Sequence, residues 1–258
     1  TCYLDTDNLD DDQRGLKYAE MLRDKILQEG PDSVLAFKME PVGGASTGAL
    51  VAPDSYYARI REICDEFGIL LIYDEVMTGA GRTGKFIAAE HWGITPDIIS
   101  LSKGFAAGYA PLGAMVARGD MVEAVLDAGG FLHGYTYAGN PLACAVGEAA
   151  FDVVSDPAVL AGVTEKAKLY VDGLNAINDK YKVFSEIRGK GLLIGAVLTQ
   201  DYQGKAKDFL NAAMEEGVMT LVAGANIVRF APSLVIPDED IKEGLARFEK
   251  AVAKLAQA

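Results

Sequence analysis

The chain has 258 residues, half of them hydrophobic, with 24 Lys and Arg against 37 Asp and Glu and a formal net charge of -13. That length can bury a large core or divide into two domains, and an acidic chain with scattered Lys and Arg argues against a nucleic-acid partner. No apolar run approaches the roughly 20 residues of a membrane-spanning helix and no charged-then-apolar leader opens the chain, so neither a membrane nor export is expected.

The opening Thr1-Cys2-Tyr3, in place of Met, is what a fragment or a processed product would show. Asp5 to Asp12 reads as a solvated loop, after which Leu16, Ala19, Leu22 and Ile26 recur at helical spacing until Gly30-Pro31 stops them. Ser33–Glu40 reads as a buried strand, and Glu40 to Gly48 is too rich in glycine and small residues for either regular element, so a loop is expected at the strand's carboxyl end. Tyr56, Ile60, Ile63 and Phe67 form one apolar helix face closed by Gly68.

Ile69–Tyr73 is a continuous apolar strand of the kind found in parallel sheets covered on both faces, and Asp97–Leu101 and Leu112–Ala117 read as further strands. Past Gly139-Asn140-Pro141, the small residues Ala143, Ala145, Gly147 and Ala149 predict a closely packed helix. From about Asp156 the character changes: a helix over Leu160 to Asn178 leads to short strands near Val183–Ile187, Leu192–Leu198, Val218–Val222 and Ile227–Phe230, interleaved with helices over Lys205–Glu216 and Asp238–Ala256. The expected fold is α/β, a mainly parallel sheet flanked by helices over residues 1–155, with a smaller C-terminal α+β domain over 156–258.

Cys2, Cys64 and Cys144 are odd in number and lack metal or disulfide-framework spacing, which points to free thiols in a reducing, cytoplasmic compartment. His91 and His133 are too isolated to suggest zinc, so no metal is expected.

Ligands of open α/β sheets bind beyond the carboxyl ends of the strands. Glu40, Asp74 and Lys103 fall at such ends here. On topology alone the plainer reading, an acid and an amine that neutralise each other, is favoured over a pair that grips a ligand.

The local words add a second reading. Asp74-Glu75-Val76-Met77-Thr78-Gly79, then Gly81-Arg82-Thr83-Gly84 and Ser102-Lys103-Gly104-Phe105, resemble the class III pyridoxal-phosphate-dependent aminotransferases. Glu40-Pro41-Val42, Pro96-Asp97-Ile98-Ile99, Gly108 to Ala114 and His133-Gly134-Tyr135-Thr136-Tyr137 extend the likeness over nearly the whole chain. The resemblance implies fold type I, pyridoxal 5'-phosphate as cofactor, and amino-group transfer from an ω-amino acid, amine or acylornithine-type donor to a 2-oxo acid.

It also assigns roles. Lys103 matches the lysine that holds the cofactor as a Schiff base and moves protons, chemistry that needs an amine able to act as nucleophile and as general acid/base. Asp74 matches the carboxylate that keeps the pyridine nitrogen protonated. Val76, two residues on along an extended segment, matches the residue packed on the ring, and Thr136 the threonine that reaches the cofactor phosphate across a homodimer interface. Arg229 matches an arginine whose planar fork binds a substrate carboxylate, or else pairs with an acid nearby. Glu40 matches a glutamate that orients the substrate pocket or holds its loop.

Four departures qualify the likeness. Ala45 stands where some relatives have a glutamate gating the substrate arginine, and Met77 where many have glutamine. Residues up to about Val154 look most like ω-amino-acid or amine aminotransferases, and Phe184–Ala258 like acetylornithine or succinylornithine aminotransferases. The family's preceding stretch, with its phosphate turn and a ring-covering aromatic, is not in this sequence. A class III racemase, aminomutase or decarboxylase, or a catalytically silent fragment that needs the missing segment, remains as an alternative.

Overall fold

The computed structural model describes residues 8–256. In chain order its elements are α1 (Asp11–Glu29), β1 (Ala36–Met39), β2 (Val42–Gly43), β3 (Leu50–Val51), α2 (Asp54–Phe67), β4 (Leu70–Asp74), β5 (Ile98–Leu101), β6 (Ala114–Ala117), α3 (Gly119–Asp127), α4 (Pro141–Val154), α5 (Pro157–Tyr181), β7 (Phe184–Lys190), β8 (Leu193–Leu198), α6 (Ala206–Glu215), β9 (Leu221–Ala223), β10 (Ile227–Phe230) and α7 (Asp238–Ala256). They form two units. One takes the chain up to Pro41, Ala52–Val76 and Ala88–Ala150; the other takes Val42–Val51, Met77–Ile87 and the chain from Phe151 on.

The first unit is built on a four-stranded sheet in the order β1-β4-β5-β6. β1 and β4, and β4 and β5, run parallel, so the mainly parallel character expected of an α/β layer holds. β6 is the exception and lies antiparallel to β5. Leu71 and Tyr73 bury one face of β4 completely, while Ile72 and Asp74, on the other face, are half-buried.

Helix α1 starts inside the acidic stretch read as loop. Asp10 caps it in a reciprocal box, its Oδ1 accepting from Gln13 N at 2.8 Å, and that bond is what turns an acidic run into a helix start. The rest of that stretch, Asp5 to Asp7, and Cys2 lie outside the described residues. Helix α2 ends on Gly68 in the left-handed region, φ 65. Its fully buried tyrosine is Tyr57, not Tyr56, because the Tyr57 hydroxyl donates inward to Pro41 O at 2.7 Å. In α4 the expected close approach falls at Gly147, where any Cβ would collide with Leu112.

The second unit holds a four-stranded antiparallel sheet, β7-β8-β10-β9. One face, with Ile194, Ala196, Leu198, Val228 and Phe230, packs in a single core with Leu174 of α5, Phe209 of α6 and Phe248 of α7. Burial of large apolar side chains such as these stabilises by about 1.5–3 kcal/mol each. The glycine-rich segment read as plain loop contains a short hairpin: β2 and β3 pair antiparallel, Val42 with Val51 and Gly43 with Leu50. Two such short strands carry too little periodicity to register in the sequence.

Candidate active site

Asp74 is the last residue of β4 and pairs in register with Ser100 of β5. Lys103 follows Ser100 by three positions and opens a short 3-10 turn, Lys103–Ala106. The carboxylate and the lysine thus stand at the carboxyl ends of neighbouring parallel strands. Met39 of β1 pairs with Tyr73, which sets the half-buried Glu40 at the level of Asp74 along the same edge.

The Asp74 side chain is 25% exposed, and its Oδ2 lies 3.1 Å from the ammonium of Lys38 on β1. Its Oδ1 accepts from Val76 N at 3.2 Å. That bond closes a turn. Val76 is therefore not in an extended segment, and strand alternation does not fix its direction; the strand ends at Asp74. Lys103 is exposed, and its ammonium has no ion-pair or hydrogen-bond partner among the described residues. Its backbone is left-handed, φ 48, a conformation disfavoured for a residue with a Cβ and one that marks functional sites. Thr136 lies in an exposed turn between α3 and α4, and no hydrogen bond joins it to Asp74 or Lys103.

Two further carboxylates are held in this unit, Glu75 directly after Asp74 and Asp97 at the opposite, amino-terminal end of β5. Glu75 is 1% exposed and accepts from Ala88 N at 3.0 Å and Ala89 N at 2.9 Å, tying the residue after Asp74 to the start of the turn Ala88–His91. Asp97 is also buried; it accepts from Leu71 N at 2.8 Å, Arg61 Nη1 at 2.9 Å and Arg118 Nη1 at 3.0 Å. Burial alone would raise its pKa, but the Leu71 N–H, then Arg61 and Arg118, outweigh it and hold the carboxyl below the ordinary aspartate value. Both residues sit inside the quoted motifs, which is the signal that could have found them. Lys38 carries no such signal.

Cys64 and Cys144 are free thiols, one buried and one exposed; burial pushes the Cys64 thiol up to about 11, so it is no nucleophile at neutral pH. Among the described residues no cluster of His, Cys, Asp or Glu could hold a metal ion, and no helix is long and apolar enough to cross a membrane.

In the second unit, Arg229 lies in β10 with Nη1 4.0 Å from the sulfur of Met77. Arg82, of the Gly81-Arg82-Thr83-Gly84 word, is half-buried and donates from Nη1 to Leu192 O at 3.1 Å and Pro232 O at 2.6 Å. Desolvation lowers its pKa from the ordinary arginine value.

A mostly parallel sheet presenting an acid and a lysine at adjacent strand ends, within these words, defines a class. The family model described as aminotransferase class-III matches residues 3–252, and the chain belongs to that family. It is 51% identical over 227 residues to an acetylornithine aminotransferase of Shewanella oneidensis, covering 88% of this chain and 55% of the relative. It is 49% identical over 226 residues to a succinylornithine transaminase/acetylornithine aminotransferase of Pseudomonas aeruginosa, covering 88% of this chain and 54% of that one. Among solved structures, an amine transaminase from an uncultivated Pseudomonas species in its PLP-bound form superposes with a TM-score of 0.90 at 32% identity, over 98% of this chain and 60% of that one. The chain spans little more than half the length of the curated relatives it matches.

Proposed function

We propose that this chain carries the lysine-bearing part of a pyridoxal-phosphate-dependent aminotransferase, moving an amino group between an ω-amino acid, amine or acylornithine-type donor and a 2-oxo acid. The observation that supports this most is the pairing of Asp74 with Ser100, which brings the strand end before Lys103 beside the strand end at Asp74. The residues fit the cofactor. The half-exposed Asp74 carboxylate already engages a cationic N–H donor, and the Lys103 ammonium is exposed with no described partner.

When bound, the cofactor supplies an aldehyde and an electron-withdrawing ring. Lys103 would hold the cofactor through Nζ and, as a free amine, would be the group that takes up and returns a proton. Asp74 holds a proton on the ring nitrogen through Oδ2. Val76 would pack on the cofactor ring, Thr136 would hold the phosphate of the opposite subunit in a homodimer with shared sites, and Arg229 would take the substrate carboxylate. Glu40 shapes the substrate pocket. Residues 156–258 act as the small domain, and the enzyme works in the cytoplasm.

Incubation with pyridoxal phosphate, borohydride reduction and peptide mapping should place the label on Lys103. A label on Lys38 or another lysine, with Lys103 unmodified, overturns the reading.

A further inference from the structure

On the sheet face turned away from the helical core, Arg188, Gly195 and Arg229 stand side by side, paired across β7, β8 and β10. Gly195 has no side chain, and the turn between β2 and β3 fills the space: a Cβ on residue 195 would sit 2.5 Å from the Gly48 carbonyl oxygen. The same turn touches the residue two before Arg229. A Cβ on Gly48, whose φ is +64, would meet Ile227 Cδ1 at 2.5 Å. Glycine at both positions lets the backbone of the turn lie directly on the row.

Arg188 fastens the turn there. Its Nε donates to Gly48 O at 3.0 Å and its Nη2 to Thr47 O at 2.6 Å, while Nη1 pairs with Glu186 Oε2 at 3.0 Å. A planar fork held on two successive carbonyls is a geometry that the point charge of a lysine does not reproduce. With the turn clamped over Gly195, the space on the β8 side of Arg229 is taken, and the guanidinium of Arg229 lies toward Met77.

We infer that Arg188 is a positioning residue for Arg229: by clamping the β2–β3 turn across Gly195 it holds the Arg229 fork in one orientation, ready for a carboxylate. The inference rests on reading Arg229 as the carboxylate binder and gives that reading a consequence for substrate class. A fork ordered beforehand loses less freedom on binding, so the clamp favours amino acids and 2-oxo acids over amines that lack a carboxylate.

The test uses the whole chain with 2-oxoglutarate as the probe, followed through arginine Nε–H resonances, together with hydrogen exchange of the Gly44–Ala49 amides. Arg188→Gln should speed exchange in the turn about tenfold or more and weaken 2-oxoglutarate binding about five- to tenfold, the size expected when a side chain must be ordered on binding. Arg188→Lys should recover little of either. Arg229→Gln should abolish binding while leaving exchange in the turn unchanged. If Arg188→Gln loosens the turn and affinity stays at the wild-type value, the positioning role is wrong although Arg229 still binds. If Arg229→Gln leaves affinity intact, or the unaltered chain binds no 2-oxoglutarate, the carboxylate reading itself fails and the positioning role with it. Should Arg188→Gln not fold, Gly195→Ala displaces the turn from beneath and must give the same loss of affinity; unchanged affinity there counts against the clamp.

Discussion

The carboxylate of Asp74 is bonded to Lys38, Oδ2 to Nζ at 3.1 Å, and the lysine expected to matter beside it, Lys103, is not its partner. Strand register explains this. Lys38 pairs with Ile72, so it shares a sheet face with the carboxylate two residues further along β4. The Lys38 side chain is 58% exposed, and such a partly solvated pair contributes only about 0–1 kcal/mol. It nonetheless competes for the oxygen that a protonated ring nitrogen would need. Lys38→Met should therefore raise pyridoxal phosphate affinity by a few-fold, up to about fivefold if the full pair energy is released. Spectroscopic titration measures it; a fall in affinity would mean that Lys38 orients Asp74 rather than occupying it.

Glu75 is held differently. Its carboxylate is 1% exposed and receives two backbone N–H groups, those of Ala88 and Ala89. Glu75→Gln exchanges one acceptor oxygen for an NH2 group that faces a donor, leaving a buried N–H without its bond. The expected loss of unfolding free energy is about 1–3 kcal/mol, read as a lower urea midpoint at unchanged slope. A midpoint that does not move would show that the amide is accommodated and that the two N–H groups find other acceptors.

Asp97 makes the stability of the first unit depend on acid. Its folded pKa lies below the ordinary value, since Leu71 N–H, Arg61 and Arg118 overcome the effect of burial. Its contribution is complete above the unfolded pKa, about 3.9, and disappears as pH falls through the lower folded value. Asp97→Ala takes one carboxylate from the partly buried Arg61, which keeps Asp65 at 2.7 Å, and leaves Leu71 N without its acceptor, so it should cost about 1–3 kcal/mol at pH 7. The gap between variant and wild type should narrow as pH falls through the lowered folded value. Equal gaps at pH 7 and at the acid end, measured by denaturant unfolding, would rule out the carboxylate's charge as the source.

The sequence exposes the parts of this site that are local. Ile69–Tyr73 reads as a strand because its apolar run is unbroken, and the acid that ends it reads as a strand-end acid for the same reason. Lys103 is legible through the words around it. Lys38 is not, because its approach to Asp74 is set by how β1 and β4 are paired, which no periodicity within either strand records. The row Arg188, Gly195, Arg229 hides for the same reason: its members come from three strands. The extended geometry expected at Val76 gives way for a local reason, since alternation holds only while the chain is extended and the Asp74 side chain accepts from Val76 N in a turn just past the strand end.

Gly191 and Gly224, both in the second unit, separate two reasons for glycine. Both have left-handed backbones, φ 55 and φ 62, where an alanine costs about 1–2 kcal/mol. Around Gly224 a Cβ would meet nothing within 4 Å, whereas at Gly191 it would stand 2.5 Å from the backbone carbon of Thr83. Backbone cannot rotate aside as a side chain does, and Leu192 N is already bonded to Arg82 O at 3.0 Å, so the two segments cannot part without losing that bond. Gly224→Ala should therefore lower stability by about 1–2 kcal/mol from the dihedral alone, and Gly191→Ala by a further 1–3 kcal/mol or so from the forced separation. Thermal or urea unfolding of the pair isolates the difference. Equal losses would mean that the approach of residue 191 to Thr83 relaxes freely, and the anchorage of the Gly81-Arg82-Thr83-Gly84 segment in this unit would then rest on the Arg82 hydrogen bonds alone.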